Sequence, residues 1–180
     1  MATMGLDIGG ADTHMVELAM ELKAVGNEVA IASNGGVYVP EIKAAGSRHY
    51  SGPMHRRNVR YMRRSRKLLK EIIQKEKPDV VHAHARIPAF LCGSLHATMH
   101  FPFVTTAHWV FETRGMLRYL TNWGQRTVAV SEDIKAYLMR EYGVPEEHIT
   151  VTVNGIDTNK FSPEVSRDRV MAELGLDPQK

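Results

Sequence analysis

The sequence predicts a doubly wound α/β fold, in which a mostly parallel sheet carries helices on both faces. Two observations predict it. Strand-like and helix-like segments alternate along the whole chain, the pattern of a parallel sheet covered on both sides. In addition, 180 residues with 43% apolar, 24% charged and 7% aromatic side chains suffice to bury one core.

The same composition excludes collagen-like, disulfide-scaffold and disordered chains, because apolar content is ordinary and 14 glycines with 8 prolines are unremarkable. No run approaches the roughly 18 apolar residues of a bilayer span, and the opening MATMGLDIGG lacks the pattern of a secretory leader. The expectation is a cytoplasmic chain, neither integral to a membrane nor secreted. Its single cysteine, Cys92, has no partner thiol and reads as a buried core residue in a reducing compartment.

In chain order, the apolar start at residues 2–4 reads as a short first strand, short enough for a central position to suggest that residues precede it. The loop 6–10 (LDIGG) follows. Met15, Leu18, Ala19, Leu22 and Val25, at spacings of three and four, then predict a helix capped by Gly26. Residues 28–33 (EVAIAS) predict a second strand closed by Gly35 and Gly36. Residues 37–46 predict a short helix with Val39, Ile42 and Ala45 on one side, and 49–53 a brief strand. A long basic helix follows, with Tyr61, Met62, Leu68, Leu69, Ile72 and Ile73 as its inner stripe, stopped by Pro78.

DVVHAH (79–84) predicts a strand, 87–99 a helix, and FVTTAH (103–108) and TVAVS (127–131) two further strands. Between these lie Arg114 and a helical patch over 116–123. Ser131 is placed to cap the next helix, with Ile134, Tyr137 and Leu138 buried and Gly143 with Pro145 as the stop. ITVTV (149–153) predicts a last strand, NGID (154–157) a tight turn, and 162–175 a helix outside the main alternation.

In such sheets ligands bind beyond the carboxyl ends of the strands. Gly9 and Gly10, ahead of a helix start, allow close backbone approach and suit a phosphate, although Asp12 in the first turn opposes an anion. A plain strand-to-helix turn that needs glycine is the competing reading, and both stay open. His82 and His84, two apart on a strand, point the same way. A metal there needs another donor, with Asp79, Asp133 and His108 as candidates; hydrogen bonding to loop backbone is the commoner role. His108 follows Thr105 and Thr106 at the carboxyl edge, where an imidazole either faces a substrate or serves structure.

Charge is uneven. Residues 56–77 carry a net +8, and the rest of the chain −5. Arg60, Arg63, Arg64 and Lys67 crowd the outer face of the predicted basic helix. Three readings compete for this face: a solvated surface, a nucleic-acid groove, and a surface for anionic lipid or a phosphorylated acceptor. Nucleic acid is disfavoured, because Tyr61 is the only stacking residue there, and anionic lipid fits better.

The ordered segments GGADTHMVELAMELKAVGNEVAIAS, DVVHAH, PFVTTAH, TVAVSEDI and ITVTVNGIDTNKF resemble the N-terminal half of retaining, nucleotide-sugar-dependent glycosyltransferases of family 4, with the GT-B fold. The resemblance implies a Rossmann-like, acceptor-side domain over 1–157, with 158–180 leading towards a donor-binding domain that shares the nucleotide-sugar donor. Half a cleft is expected to be inactive alone.

By the same resemblance, Gly9, Gly10, Asn154 and Gly155 face the donor and His108 borders the reacting sugar. His14, His84, Arg86, Trp109 and Ser131 lie on the side of a hydroxyl-bearing acceptor. The charge of the basic helix, not the resemblance, adds the expectation of a lipid-linked acceptor and of peripheral contact with an anionic membrane. Asp12 stands where glutamate is commoner and Trp109 where glycine is. Helix N-termini and cations can stabilise a leaving diphosphate, so neither metal nor cofactor is expected. Two other classes compete: a stand-alone nucleotide- or anion-binding module, and a hydrolase around His82-x-His84, whose usual barrel needs about 250 residues.

Overall fold

The computed structural model describes residues 1–110, 121–155, 158 and 167–176. Its elements run α1 (Gly10–Ala24), β1 (Ala30–Ser33), α2 (Val39–Ala44), β2 (Arg48–Ser51), α3 (Val59–Glu76), β3 (Val81–Ala83), α4 (Arg86–Met99), β4 (Phe103–Ala107), β5 (Arg126–Ala129), α5 (Glu132–Tyr142), β6 (Ile149–Val151) and α6 (Asp168–Glu173). Every strand pair is parallel: β1 with β2, and β3-β4-β5-β6 in that order.

Residues 1–3 join the two groups. Ala2 bridges both Ala32 and Ala83. The Ala2 N–H donates to the His82 carbonyl at 2.8 Å, and the His84 N–H donates to the Ala2 carbonyl at 2.9 Å. On the other side, the Thr3 N–H donates to the Ala32 carbonyl and the Ala32 N–H to that of Met1, each at 3.0 Å. The predicted first strand is therefore a short central segment. The order across the sheet becomes β2-β1-(1–3)-β3-β4-β5-β6, and chain direction across it reverses between residues 1–3 and β3. That is the switch point of a doubly wound sheet, where its ligand crevice opens.

Adjacent strand residues point to opposite faces, and Ile31 and Ala32 use this. Ile31 packs with Leu6, Met15, Val16, Ala19 and Ile42, under α1 and α2. Ala32 packs with Leu69, Ile72, Ile73, Leu91, Cys92, Leu95 and Phe103, under α3 and α4. Leu6, Met15, Ile31 and Ile42 are fully buried, and each such side chain stabilises the fold by about 1.5–3 kcal/mol. Cys92 is buried as expected, and burial pushes its thiol up to about 12.

The ends of the helices follow local chemistry. After α1, the N–H groups of Gly26 (φ 91°) and Asn27 donate to Lys23 and Leu22, a left-handed cap that glycine suits. Val25 lies past the last turn and is exposed, and Val16 takes its expected place in the core. Asn58 caps α3 by accepting from the Tyr61 N–H at 3.0 Å. The Ser131 hydroxyl caps α5, accepting from the Ile134 N–H at 3.3 Å, and Gly143 closes that helix in the left-handed region.

Several expected bounds shift. The strand expected over 28–33 begins at Ala30 and that expected over 49–53 at Arg48, while the strand expected over 149–153 ends at Val151. Arg114 and positions 116–120 lie outside the described residues, and 121–123 are not helical. Of the helix expected over 162–175, the described part is α6. Asn154 and Gly155 are exposed with no turn assigned, and 156–157 lie outside the described residues.

Candidate functional site

The loop 6–9 leaves the central segment and is pinned to the turn after β1. The Leu6 N–H donates to the Gly35 carbonyl at 2.9 Å, the Tyr38 N–H to the Leu6 carbonyl at 3.1 Å, and the Val37 N–H to Asp7 Oδ1 at 3.2 Å. Gly36 (φ 143°) is required here, because a β-carbon on it would sit 2.2 Å from the Leu6 carbonyl oxygen. Asp7 was not recognised from the sequence; its signal was an acidic side chain between a strand and a glycine pair. Asp12 reaches back so that Oδ2 accepts from the Asp7 N–H at 3.4 Å, and desolvation raises its carboxyl above the ordinary value.

Gly9 and Gly10 differ from Gly36. Gly9 is extended (φ 179°), a conformation open to any residue, and Gly10 is the first helical residue. A β-carbon on Gly10 would meet nothing within 4 Å, and on Gly9 only Asp12 Oδ2 at 4.0 Å. The turn-that-needs-glycine reading therefore fails at both positions. Their missing side chains leave bare backbone at the start of α1, facing open space beside the switch point.

Four histidines converge on the same edge. His84, one residue beyond β3, is 5% exposed, and its Nδ1 lies 3.4 Å from Nε2 of His108, one residue beyond β4. The His14 ring, one turn into α1, stands 5.1 Å from the His108 ring and 6.2 Å from that of His84, centroid to centroid. The His82 and His84 rings are 4.0 Å apart, with His82 Nε2 bonded to Thr106 Oγ1 at 2.7 Å.

The shared direction of His82 and His84 is as the sequence predicts. Of the further donors the sequence offered, His108 does stand beside His84, whereas Asp79 precedes β3 at the other edge and Asp133 is exposed on α5; His14 is the added neighbour that spacing alone did not offer. Only the switch-point topology could have revealed it.

Burial holds these rings neutral. Desolvation lowers His82 to about 3 and His108 to about 4, pushes His84 well below 6.5, and lowers His14. Mutual repulsion between rings adds to this for His82, His84 and His108. A neutral ring offers one N–H and one lone pair, which suits hydrogen bonding to a hydroxyl better than carrying a charge.

The other predicted residues distribute as follows. Arg86 opens α4 and is half-buried, Trp109 is 72% exposed next to His108, and Ser131 is committed to capping α5. Asn154 and Gly155 follow β6, so they share the carboxyl edge but at its far end, four strand positions from residues 1–3. A cavity of about 440 Å³ lies at the opposite, amino edge between β1 and β3, lined in part by Leu22, Val29, Ile72, Ile73 and Val81. It includes none of Gly9, Gly10, His14, His84 or His108. Arg60, Arg63, Arg64 and Lys67 are exposed on α3, away from the inner stripe. Arg66 turns inward instead, donating to Ser94 Oγ at 2.9 Å.

The sequence model of Glycosyltransferase Family 4 matches residues 8–160, most of the chain. The chain belongs to glycosyltransferase family 4. No curated protein matches it. Among solved structures, this family 4 chain is similar to a glycosyltransferase from Rickettsia africae ESF-5, with 24% identity and TM-score 0.78 over 98% of this chain and 49% of that one. It is similar to Anabaena Alr3699/HepE, crystallised with UDP and glucose, at 13% identity and TM-score 0.72 over 97% and 50%. It is also similar to a UDP-N-acetylglucosamine 2-epimerase from Rickettsia bellii, at 15% identity and TM-score 0.65 over 99% and 52%. The family 4 chain thus spans about half the length of these neighbours and has the Rossmann-like fold of one half of a GT-B protein. The epimerase shows that this fold serves more than one chemistry.

Proposed function

We propose that this chain is the acceptor-side half of a glycosyltransferase that moves a sugar from a nucleoside diphosphate sugar to a hydroxyl acceptor with retention of configuration. The observation that carries the reading is the bare backbone of Gly9 and Gly10 beside His14 and His108 at the switch point, since the fold itself asks for neither glycine. Residues 1–157 form the acceptor-side domain, and 158–180 lead towards a donor-binding domain that closes over this edge. UDP and glucose in the Anabaena neighbour support a nucleoside diphosphate sugar as the donor class.

In this reading the backbone N–H groups at the start of α1 approach the donor's phosphates and sugar, helped by the helix dipole. Asn154 and Gly155 mark the crossing to the second domain. His108 hydrogen-bonds the donor sugar as a neutral ring. His14, His84, Arg86, Trp109 and Ser131 border the acceptor side, with Ser131 acting through the start of α5.

The bond to the diphosphate breaks through an oxocarbenium-like state, and the acceptor oxygen attacks from the face the diphosphate leaves, which gives retention. The acceptor proton passes to the departing phosphate oxygen on that face. The cationic outer face of α3 docks on anionic lipid, which suits a lipid-linked acceptor and a chain at the inner face of a membrane. Among the described residues, no helix is long and apolar enough to cross one.

The test is titration with a panel of nucleoside diphosphate sugars, followed by a transfer assay on this chain joined to the second domain of a family member. The chain alone should bind no tighter than about 1 mM and turn nothing over, and the joined protein should transfer sugar. Micromolar binding by the chain alone, without turnover in the joined protein, would instead favour a stand-alone binding module.

A further inference from the structure

The cavity of about 440 Å³ at the sheet's amino edge is bounded by two strand edges that face each other. In a parallel sheet, alternate residues turn their N–H and carbonyl groups to the same side. In β1, the carbonyl of Val29 accepts from Arg48 of β2 at 3.0 Å, whereas Ala30 and Ala32 turn to the central segment and bond Met1. In β3, the Val81 N–H donates to the Pro102 carbonyl, just ahead of β4, at 2.9 Å, whereas His82 and His84 turn to Ala2. By this alternation the N–H groups of Ala30 and His82 and the carbonyls of Glu28 and Val80 point into the gap. Backbone groups inside a sheet call for partners.

The walls between these edges are apolar, with Leu22 and Val29 on the α1 side and Leu69, Ile72 and Ile73 on the α3 side. Met1 packs with the first set and Ala2 with the second, so an extended segment lying in the gap sends alternate side chains to each wall. Both sets of positions therefore ask for apolar side chains. At the inner end the Met1 amine donates to the Ala30 carbonyl at 2.7 Å, and desolvation lowers it to about 6. A carboxylate beside it restores its charge.

We propose that this gap is a binding site for an extended apolar peptide ending in a free carboxylate, which runs parallel to β1 and β3 with that carboxylate against the Met1 amine and the His82 N–H. Strand addition supplies the affinity, and capture of the terminal carboxylate sets direction and register. A fatty acid matches the walls and the amine, but it leaves the Ala30 N–H and the Glu28 and Val80 carbonyls unpaired, which is costly. The proposal does not rest on the sugar-transfer reading, because His14 and His108 stand at the opposite edge of the sheet.

The experiment is amide NMR of the full chain titrated with the peptide acetyl-Lys-Val-Ile-Val bearing a free carboxyl end. One equivalent should bind saturably, with shifts centred on Ala30, Val80 and His82. The same peptide with a carboxamide end should bind at least about tenfold more weakly. So should a version N-methylated at its last residue, which cannot donate to the Val80 carbonyl. These changes lie in the peptide, so the fold of the chain is not at issue. A chain with Val-Ile-Val joined ahead of Met1 should fill the gap from within and lose peptide binding. No saturable binding at millimolar peptide, equal binding of all three peptides, undiminished binding by the extended chain, or displacement of the peptide by equimolar decanoate would overturn the proposal.

Discussion

His84 Nδ1 lies 3.4 Å from His108 Nε2, two rings delivered to one edge by the adjacent parallel strands β3 and β4. Burial keeps both neutral, and His82 and His14 beside them are lowered as well. In the unfolded chain these rings take protons near pH 6.5. Between that value and the folded values of about 4 for His108 and 3 for His82, the unfolded state binds more protons, so stability falls as pH falls. Each ring contributes at most about 1.4 kcal/mol per pH unit. Tm should drop steadily from pH 7 to pH 5, and less steeply in His108→Asn. A Tm that is flat or rises on acidification would contradict the burial of these rings.

Gly36→Ala should be severely destabilising. The new β-carbon meets backbone, the Leu6 carbonyl oxygen at 2.2 Å, and the residue must also hold φ 143°. A loss of about 2–4 kcal/mol is expected, readable by urea unfolding, and loop 6–9 should become open to proteolysis. An unchanged midpoint would mean that the loop is not seated on this turn.

Gly10→Ala separates fold from function. It fills open space at the first helical position, so stability should hold or rise by about 0.4–1 kcal/mol. Transfer by the joined two-domain enzyme should fall at least tenfold, with the loss greater for Gly10→Leu. Full activity in both variants would remove the donor's phosphates from the start of α1.

The outer face of α3 makes a prediction about membranes. Neutralising Arg60, Arg63, Arg64 and Lys67 removes four exposed cations, each worth about 1 kcal/mol at an anionic surface at low salt. Lys67 already pairs with Glu71 at 3.8 Å and should count for less. Sedimentation with phosphatidylserine vesicles should weaken by two to three orders of magnitude, about 3–4 kcal/mol, without loss of Tm. Equal binding by the altered chain would remove the membrane contact.

Elements whose signals are local were legible in the sequence. Ser131, Gly26 and Gly143 mark helix ends through their own chemistry, and the stripe around Leu69, Ile72 and Ile73 identifies the buried face of α3. What depends on distant partners was not legible. The inward turn of Arg66 requires Ser94 on α4, and the meeting of His14 with His84 and His108 requires the central segment to be hydrogen-bonded to both β1 and β3. Asp79, one of the candidate donors that spacing offered, lies before β3 beside the amino-edge cavity, whereas His84 and His108 leave the carboxyl ends of β3 and β4.

The most direct test is amide NMR of the chain titrated with a nucleoside diphosphate sugar to millimolar concentration, a range in which weak contacts still shift signals. The account predicts shifts centred on Gly9, Gly10, His14 and His108, diminishing across the sheet and absent from the cavity at its amino edge. Shifts centred on that cavity, or a spectrum that does not change, would contradict it.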